Sequence, residues 1–236
     1  SGLLIPALEL MRKVNPTYWI FENVRMKTEW LELLDTIIGV KHVEIDASLV
    51  SPQSRKRCFW ANFNITQPKD KGIMLKHIIE PNVDSGIVFK VGAYKGLTTV
   101  EKDNVVLRVP EATKKGYTDI ENGDCFDYTF PNSKTRRGRN MKHKSNCLET
   151  KPSFMVYEHP TVRKLTVTEA ERLQGCEGWT IGDGTISNTQ RLKLLGNGFC
   201  VPVIEHILCH IGNDCPPRVY NVNQPEENLC HIINHY

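Results

Sequence analysis

Two short segments of the chain hold residues that could surround a flat polar heterocycle. Glu22 and Asn23 stand at the end of a hydrophobic run, and Gln53, Arg55 and Arg57 stand at the start of another. A carboxylic acid can share a proton with a ring nitrogen, and a guanidinium can hold a carbonyl oxygen or a phosphate through two parallel hydrogen bonds. The two segments therefore predict a binding site for a polar ring.

A sheet with crossover helices would bring these residues to one edge. The first part of the chain alternates between helical and β-prone patterns, with helices expected at 3–15 and 30–39 and strands at 17–24, 42–50 and 57–63. This rhythm of strand, helix and strand is typical of a parallel sheet. In such sheets ligand groups gather beyond the carboxyl ends of the strands, where Glu22 and Asn23 are expected to lie.

The remainder of the chain predicts a separate lobe and a return to helices. Residues 66–160 are rich in Gly, Asp, Asn and Lys and have weak helical periodicity, which indicates a loop-rich lobe. Thr166 and Glu169 form a capping-box pattern that begins a helix. A last helix, 201–211, is expected after a glycine-rich turn at 196–198. The expected domains are a first part, the lobe, a return to the first part and a tail, at 1–65, 66–160, 161–212 and 213–236.

One segment inside this lobe is strongly basic although the whole chain is nearly neutral. The net charge is only +3, so the overall balance is a weak argument for a nucleic-acid partner. Between Tyr128 and Leu148 there is no acidic residue, whereas six cations occur there: Lys134, Arg136, Arg137, Arg139, Lys142 and Lys144. This distribution favours a loop that meets phosphate. The alternative is an ordinary solvated loop.

Four blocks, taken in their order, carry a resemblance to a known family. They are TYWIFENV at 17–24, QSRKR at 53–57, VRKLTVTEAERLQG at 162–175 and LLGNGFCVPVIEHIL at 194–208. Together they resemble the second half of a DNA cytosine-5 methyltransferase, and FPNSKTRRGR at 130–139 is similar to bacterial and phage members. The resemblance implies an α/β fold, with the second half of a Rossmann-like methyltransferase sheet and an inserted mixed α/β target-recognition lobe.

The resemblance also implies catalytic roles for four residues. Glu22 would contact N3 and the exocyclic amine of a flipped cytosine, and its proton would assist nucleophilic attack at C6. Asn23 would help to position the loop that carries a Pro-Cys nucleophile. Arg55 and Arg57 would contact the cytosine O2 and brace the site.

Further roles follow from the same resemblance. Asn197, Gly198 and Phe199 would lie beside the methionine portion of S-adenosylmethionine. The residues expected to contact double-stranded DNA are Gln53, Lys134, Arg136, Arg137 and Arg139. A third group is expected to act structurally, through capping and buried ion pairs: Arg163, Thr166, Glu169 and Arg172.

The family's glycine-rich cofactor turn and Pro-Cys nucleophile are expected to lie in a missing N-terminal half. None of the eight cysteines follows a proline. The chain could therefore be a fragment of a full enzyme, the C-terminal subunit of a two-chain enzyme, or a regulatory relative without chemistry of its own. Two other functions remain open: a DNA-binding module and an RNA cytosine-5 methyltransferase of the same fold.

Composition also bears on membrane association, cellular compartment and metal binding. No apolar run approaches the ~20 residues that span a bilayer, so no membrane partner is expected. The scattered cysteines do not form the framework of a small secreted domain, which favours a reducing, intracellular compartment. The resemblance to bacterial and phage members implies the cytoplasm of a bacterial or phage-host cell. No metal site is expected, because the cysteines and histidines near the C-terminus fit no common zinc spacing: Cys209, His210, Cys215, Cys230 and His231.

Overall fold

The computed structural model describes residues 3–81, 83, 88–90, 98–101, 105–130, 133–150, 154–158, 161–181 and 184–211. The chain divides into two compact units. Unit 1 comprises Ser1–Ile45, Lys56–Gln67 and Glu205–Tyr236, and unit 2 comprises Asp46–Arg55 and Pro68–Ile204. The four-part domain division expected from the sequence stays a prediction.

The helices and strands of the described residues run in the following order. The helices are α1 (Leu4–Val14), α2 (Thr28–Ile38), α3 (Val167–Gln174), α4 (Asn188–Asn197) and α5 (Val201–Leu208). The strands are β1 (Ile20–Val24), β2 (Val43–Asp46), β3 (Lys56–Ala61), β4 (Val88–Lys90), β5 (Thr98–Glu101), β6 (Val105–Pro110), β7 (Tyr117–Ile120), β8 (Cys125–Asp127), β9 (Phe154–Glu158) and β10 (Thr161–Lys164). None of the helices in these ranges is long and apolar enough to cross a membrane.

A three-stranded sheet in the order β1-β3-β2 carries the first motif. The expectation of neighbouring parallel strands was wrong at this point, because β3 lies between the other two and runs antiparallel to β1. The strand–helix–strand pattern concerned only β1, α2 and β2, and it contained no information on where β3 would pair. The pairing places Glu22 opposite Phe59 and Val24 opposite Arg57.

Amphipathic helices cover the apolar residues of this sheet. α1 ends at Asn15, whose φ of 45° is left-handed, and α2 ends at Gly39, where a φ of 83° suits a residue without a Cβ. The buried core of unit 1 contains one cluster from both helices and from β3: Leu8, Met11, Leu31, Ile38, Cys58 and Trp60. Because β3 belongs to this core and pairs with β1, the core also holds in place the strand that carries Glu22.

Unit 2 is built mainly from antiparallel strands. One sheet has the order β4-β10-β9-β8 and a second has the order β5-β6-β7. α3 packs its apolar face into a core with strand residues, a cluster that includes Leu75, Leu148, Val156, Leu173 and Leu195. The described part of 66–160 contains short strands, as expected, and the chain as a whole is a mixed α/β protein, which confirms the expected fold class.

The helices near the C-terminus differ from the expectation in one respect. The capping box is present: the Thr166 hydroxyl accepts from the Glu169 amide, and the Glu169 carboxylate accepts from the Thr166 amide. The expected turn at 196–198 is instead the end of a helix, since Gly196 and Asn197 belong to α4 and Gly198 is its C-cap. α5 ends at Leu208, three residues before the expected end.

Candidate active site

Glu22 and Arg57 form an ion pair on the sheet of unit 1. Arg57 Nε lies 3.0 Å from Glu22 Oε1, and the two side chains are 17% and 23% exposed. The two residues lie diagonally across the antiparallel β1–β3 pair and so share a face. Asn23, next along β1, accepts a hydrogen bond from the Val24 amide at its Oδ1, 2.8 Å away. The pair is partly open to solvent, so a ligand can reach the carboxyl group.

Arg55 lies in unit 2 and contacts backbone carbonyls. Its guanidinium donates to Leu148 O at 3.1 Å, to Gly198 O at 2.8 Å and to Gly196 O at 3.2 Å. It also donates to Cys147 Sγ at 3.2 Å. Arg55 itself is only 4% exposed. Arg55 therefore holds the end of α4 against the segment at 147–148. Its role towards a cytosine stays a prediction.

Gln53 and Gln174 strengthen the same part of unit 2. Gln53 is fully buried, and its Nε2 donates to Leu173 O at 2.8 Å and to Gln174 Oε1 at 3.0 Å. Gln174 Nε2 in turn donates to Leu195 O. Sequence reasoning missed Gln174, because a glutamine at the end of a helix has no motif of its own. The structure gives Gln53 a bracing position, and its role in DNA binding stays untested.

The three residues expected at the cofactor stand at the end of α4. The side chain of Asn197 is exposed and Phe199 is 56% exposed. The backbone here is held very closely: a Cβ added to Gly196 would lie 2.5 Å from the backbone carbonyl of Glu149. Only glycine permits this approach. The result is a rigid backbone that presents an amide and an aromatic ring to the surface.

An ion-pair network organises the start of α3. Arg163, 1% exposed, lies 2.8 Å from Glu169 Oε1 and 2.8 Å from Glu158 Oε2. Burial acts to lower the pKa of Arg163, but the hydrogen bonds and charges of Glu169 and Glu158 outweigh it and raise the pKa. Arg172 donates to Ile78 O at 3.0 Å and pairs with Glu177. The structural role expected of this block stays a prediction.

The basic segment contains two arginines whose cations are engaged inside unit 2. Arg139 is 0% exposed and donates to the carbonyls of Asp127, Thr129 and Phe130. Burial is the main cause that lowers its pKa. Arg136 Nε donates to Asp127 Oδ2 at 2.7 Å. In this structure the buried guanidinium of Arg139 is not accessible to phosphate.

The side chains of Lys134, Arg137 and Lys142 are exposed. Arg137 Nε donates to Ala112 O at 2.8 Å, a bond that fixes the side chain without neutralising it. Lys144 donates to Ser48 O, another neutral acceptor. The surface of the basic segment therefore still carries positive charge.

The buried cysteines of the described residues are poor candidates for a nucleophile. Burial raises the pKa of Cys58 to about 11, that of Cys200 to about 11 and that of Cys125 to about 12, and it also raises the pKa of Cys176. A thiol with a raised pKa holds almost no reactive thiolate near neutral pH.

Within the described residues no group of three or more His, Cys, Asp or Glu could hold a metal ion. Cys215, Cys230 and His231, which the sequence analysis considered for zinc, lie outside the described residues.

Comparison with known proteins identifies a family whose model matches most of the chain. A model of the C-5 cytosine-specific DNA methylase family matches residues 1–213. No curated protein matches the chain. Among solved structures, it is similar to a prophage-encoded protein of E. coli named as a candidate DNA modification methyltransferase, with 18% identity, a TM-score of 0.53, and coverage of 86% of this chain and 71% of that chain. At this identity the likeness shows the fold.

Two further solved structures show weaker likeness. The Entamoeba histolytica methyltransferase EhMeth is 17% identical with a TM-score of 0.43, over 82% of this chain and 63% of that chain. The S. pombe Dnmt2 methyltransferase is 15% identical with a TM-score of 0.45, over 86% of this chain and 70% of that chain. The chain thus spans less than two thirds of the length of the Entamoeba protein.

Proposed function

The chain belongs to the C-5 cytosine-specific DNA methylase family, and on this premise we propose that it takes part in methyl transfer to C5 of a cytosine flipped out of duplex DNA. The observation that carries the proposal is the partly exposed Glu22–Arg57 pair, with 3.0 Å between Arg57 Nε and Glu22 Oε1. A carboxyl group held in one orientation and open to a ligand is what protonation of a ring nitrogen requires.

The chemistry assigned to Glu22 concerns charge that develops during the reaction. When a nucleophile adds to C6 of cytosine, negative charge moves towards N3, and a proton shared with Glu22 neutralises it there. Arg57 contacts Oε1 and so fixes the plane of the carboxyl group, while Oε2 is the oxygen that we assign to the base. The base must first leave the duplex, because its reacting atoms are inaccessible within the stack.

The end of α4 suits a cofactor with a charged amino-acid portion. The Asn197 amide can both donate and accept hydrogen bonds, as the carboxylate and ammonium of a methionine moiety require. The exposed ring of Phe199 offers an apolar surface beside it. When bound, S-adenosylmethionine would supply an electrophilic methyl group. Asn197, Gly198 and Phe199 would bind and orient it.

The nucleophile is assigned to a part of the enzyme outside these 236 residues. The buried thiols of Cys58, Cys125, Cys176 and Cys200 have raised pKa values, and none of the eight cysteines follows a proline. We place the Pro-Cys nucleophile and the glycine-rich cofactor turn in an N-terminal half, either on the same polypeptide or on a separate subunit.

The test measures radiolabelled methyl transfer to duplex DNA. The 236-residue chain alone should transfer none, and the chain combined with the N-terminal half should be active. In the combined enzyme, Glu22→Gln should lower turnover roughly 10²–10⁴-fold with little change in DNA affinity, because the proton acts only as charge develops. Near wild-type turnover in the Gln variant would exclude Glu22 from this role.

Three outcomes separate the alternatives. Transfer by the chain alone, above the level of its Glu22→Gln variant, would place the nucleophile within the 236 residues. Methylation of an RNA hairpin in preference to duplex DNA would favour the RNA methyltransferase. DNA binding without transfer in the combined protein would favour a regulatory subunit.

Duplex DNA is proposed as the partner of the basic segment. Replacing exposed Arg137 with Ala should weaken binding to all duplexes similarly and lower the slope of log K against log salt by about one unit. Arg163→Ala is unsuitable as a control because it disrupts a buried network, so Lys69→Ala, an exposed lysine outside the segment, serves instead. Equal slopes for Arg137→Ala and the wild type would mean that the segment is an ordinary solvated loop that does not contact DNA phosphates.

A further inference from the structure

Asn197 and Gly198 form a pair that can react without an enzyme. The side-chain amide of an asparagine can be attacked by the backbone nitrogen of the next residue, and a glycine there hinders the attack least because it has no Cβ. Asparagine is among the thermolabile residues of proteins. The chain contains two such pairs, Asn122-Gly123 and Asn197-Gly198, and the side chains of both asparagines are exposed.

Hydrogen bonds hold the backbone on both sides of Asn197. The Gly198 amide donates to Leu194 O at 2.8 Å, so the nitrogen that would attack is engaged at the end of α4. Arg55 Nη2 donates to Gly198 O at 2.8 Å and to Gly196 O at 3.2 Å. These two carbonyls flank Asn197. The end of α4 must therefore open locally before the nitrogen can reach the side chain.

The other pair is held by different contacts. Asn122 and Gly123 lie between β7 and β8, and the Gly123 amide donates to Tyr157 O at 2.7 Å. The carbonyls that the Arg55 guanidinium contacts are outside this turn. The two pairs thus have the same sequence and differ in what restrains them, so one can serve as the reference for the other.

We propose that Asn197 is a site of spontaneous deamidation and that Arg55 slows the reaction by holding the two flanking carbonyls. The Gly198 nitrogen gives its proton to a solvent base and attacks Cγ of Asn197. The N–Cγ bond forms, the Cγ–Nδ2 bond breaks, and ammonia leaves with a proton returned from solvent. Water then opens the succinimide ring at either carbonyl, which gives aspartate or isoaspartate. One water is consumed, one ammonium is released, and a carboxylate replaces the amide.

The reaction changes the surface that the end of α4 presents. A neutral amide that can donate a hydrogen bond becomes a carboxylate that can only accept one. The consequence for activity rests on the proposed function, in which Asn197 contacts the methionine portion of S-adenosylmethionine. A new negative charge would repel the carboxylate of that portion. Deamidation would therefore weaken cofactor binding, and intact Arg55 contacts would prolong the active life of the enzyme.

The first experiment follows both pairs in the 236-residue chain during incubation at neutral pH. Mass spectrometry of peptides detects the replacement of NH2 by OH, and heavy-oxygen water marks the sites that react during the incubation. Arg55→Lys should raise the rate at Asn197 roughly tenfold, because lost hydrogen bonds favour local opening. The rate at Asn122 should change by less than about twofold. Arg137→Lys makes the same chemical change at an exposed site and should leave both rates unchanged.

A second variant tests the chemistry itself. Gly198 has a φ of −73°, which alanine adopts without strain, and an added Cβ would lie 3.3 Å from Leu194 O. Gly198→Ala should therefore fold, and it should lower the rate at Asn197 at least about tenfold because the methyl group hinders ring closure. Urea unfolding establishes that each variant is folded.

The two asparagines distinguish local from global effects. Global unfolding would expose both and accelerate both, whereas local opening accelerates only Asn197. Equal acceleration of Asn122 and Asn197 in Arg55→Lys, an unchanged rate at Asn197 there, or an undiminished rate at Asn197 in Gly198→Ala would overturn the proposal. So would an Asn197 that does not deamidate in any of the chains.

Binding of S-adenosylmethionine separates this inference from the proposed function. In the combined enzyme, incubated protein and Asn197→Asp should both bind the cofactor at least about fivefold more weakly than fresh wild type. If Asn197 deamidates as expected and binding is unchanged, the cofactor role of Asn197 is wrong and the deamidation site stands. If Asn197→Asp weakens binding while the folded chain does not deamidate, the deamidation site is wrong and the cofactor role stands.

Discussion

Arg55 and Arg57 are two residues apart, yet they have different surroundings. Arg55 belongs to unit 2, is 4% exposed and donates mainly to backbone carbonyls. Arg57 belongs to unit 1, and its partly exposed side chain pairs with the carboxylate of Glu22. A backbone carbonyl has no exchangeable proton, whereas a carboxyl group can donate a proton to a ligand or accept one from it. Arg57 is therefore the arginine that pairs with the carboxyl group proposed to be catalytic, and Arg55 is placed to stabilise unit 2.

The strongest test of this difference is the loss of Arg55. Arg55→Ala removes the donor to the buried carbonyl of Leu148 and to the part-buried carbonyls of Gly196 and Gly198. A buried group left unpaired costs about 1–3 kcal/mol and each of the other two lost hydrogen bonds about 0.5–1.5 kcal/mol, so the free energy of unfolding should fall by roughly 2–6 kcal/mol. Urea unfolding followed by circular dichroism measures it. Arg55→Lys should rescue little, because an ammonium cannot reproduce the planar fork; full rescue by Lys would contradict the carbonyl-bracing role.

Alkaline pH should weaken both regions, each through one buried cysteine. The pKa of Cys58 in unit 1 and that of Cys200 in unit 2 are both raised to about 11, mainly by burial. The folded state keeps these thiols neutral while the unfolded chain ionises near pH 9, so stability is complete below pH 9 and falls as the pH rises towards about 11. Each thiol should account for on the order of 2–3 kcal/mol.

Single cysteine variants assign this loss to a region. Unfolding measured between pH 8 and 11 should show a shallower fall for Cys58→Ala and for Cys200→Ala than for the wild type. If both variants fall as steeply as the wild type, the alkaline loss comes from other groups.

Gly196→Ala tests how closely the end of α4 packs against the backbone of Glu149. The new methyl group would lie 2.5 Å from the carbonyl carbon and oxygen of Glu149, which are backbone atoms that cannot rotate away. Overpacking of this kind costs about 1–3 kcal/mol. The variant should unfold at a lower urea concentration than the wild type. Gly184→Ala is a poor control, because Gly184 has a φ of 85° and an alanine there would be strained for that reason alone. Lys193→Ala, an exposed site on the same helix, is the control and should unfold like the wild type.

The smallest change in stability is expected at Arg57. Partly exposed ion pairs contribute about 0–1 kcal/mol, so Arg57→Ala should lower the free energy of unfolding by less than about 1 kcal/mol. Methyl transfer by the combined enzyme should nevertheless fall at least about tenfold, because the Glu22 carboxyl group loses its fixed orientation. A stability loss as large as that of Arg55→Ala would remove the distinction between the two arginines.

Local sequence signals predicted the local structure well. α1, α2 and the capping box of Thr166 and Glu169 depend on residues within a few positions of each other. The place of β3 between β1 and β2 could not be predicted, because strand pairing depends on residues far apart in the chain. α4 was missed although a signal existed: Ser187 and Gln190 form a capping box, but Gly196 and Asn197 near its end are typical turn residues.

The candidate site was predictable by residue type but not by environment. Glu22 was singled out from its motif, and nothing in that motif showed that Arg57 rather than Arg55 would pair with it. The basic segment likewise gave six cations, and the four assigned to DNA were not distinguished from one another. Only the structure separates buried Arg139 from exposed Arg137, because burial follows from how the turn at 127–130 folds around a guanidinium.

The long reach of Arg55 has a consequence for how the protein is made. Its hydrogen bond to Gly198 joins residues 143 positions apart. A ribosome adding about 5–20 residues per second would need roughly 7–30 s to supply that acceptor after Arg55 has emerged. During this interval the guanidinium stays hydrated and unit 2 cannot close. Nascent chains of this protein therefore have a prolonged window in which chaperones can bind them, and rare codons before position 198 would lengthen it.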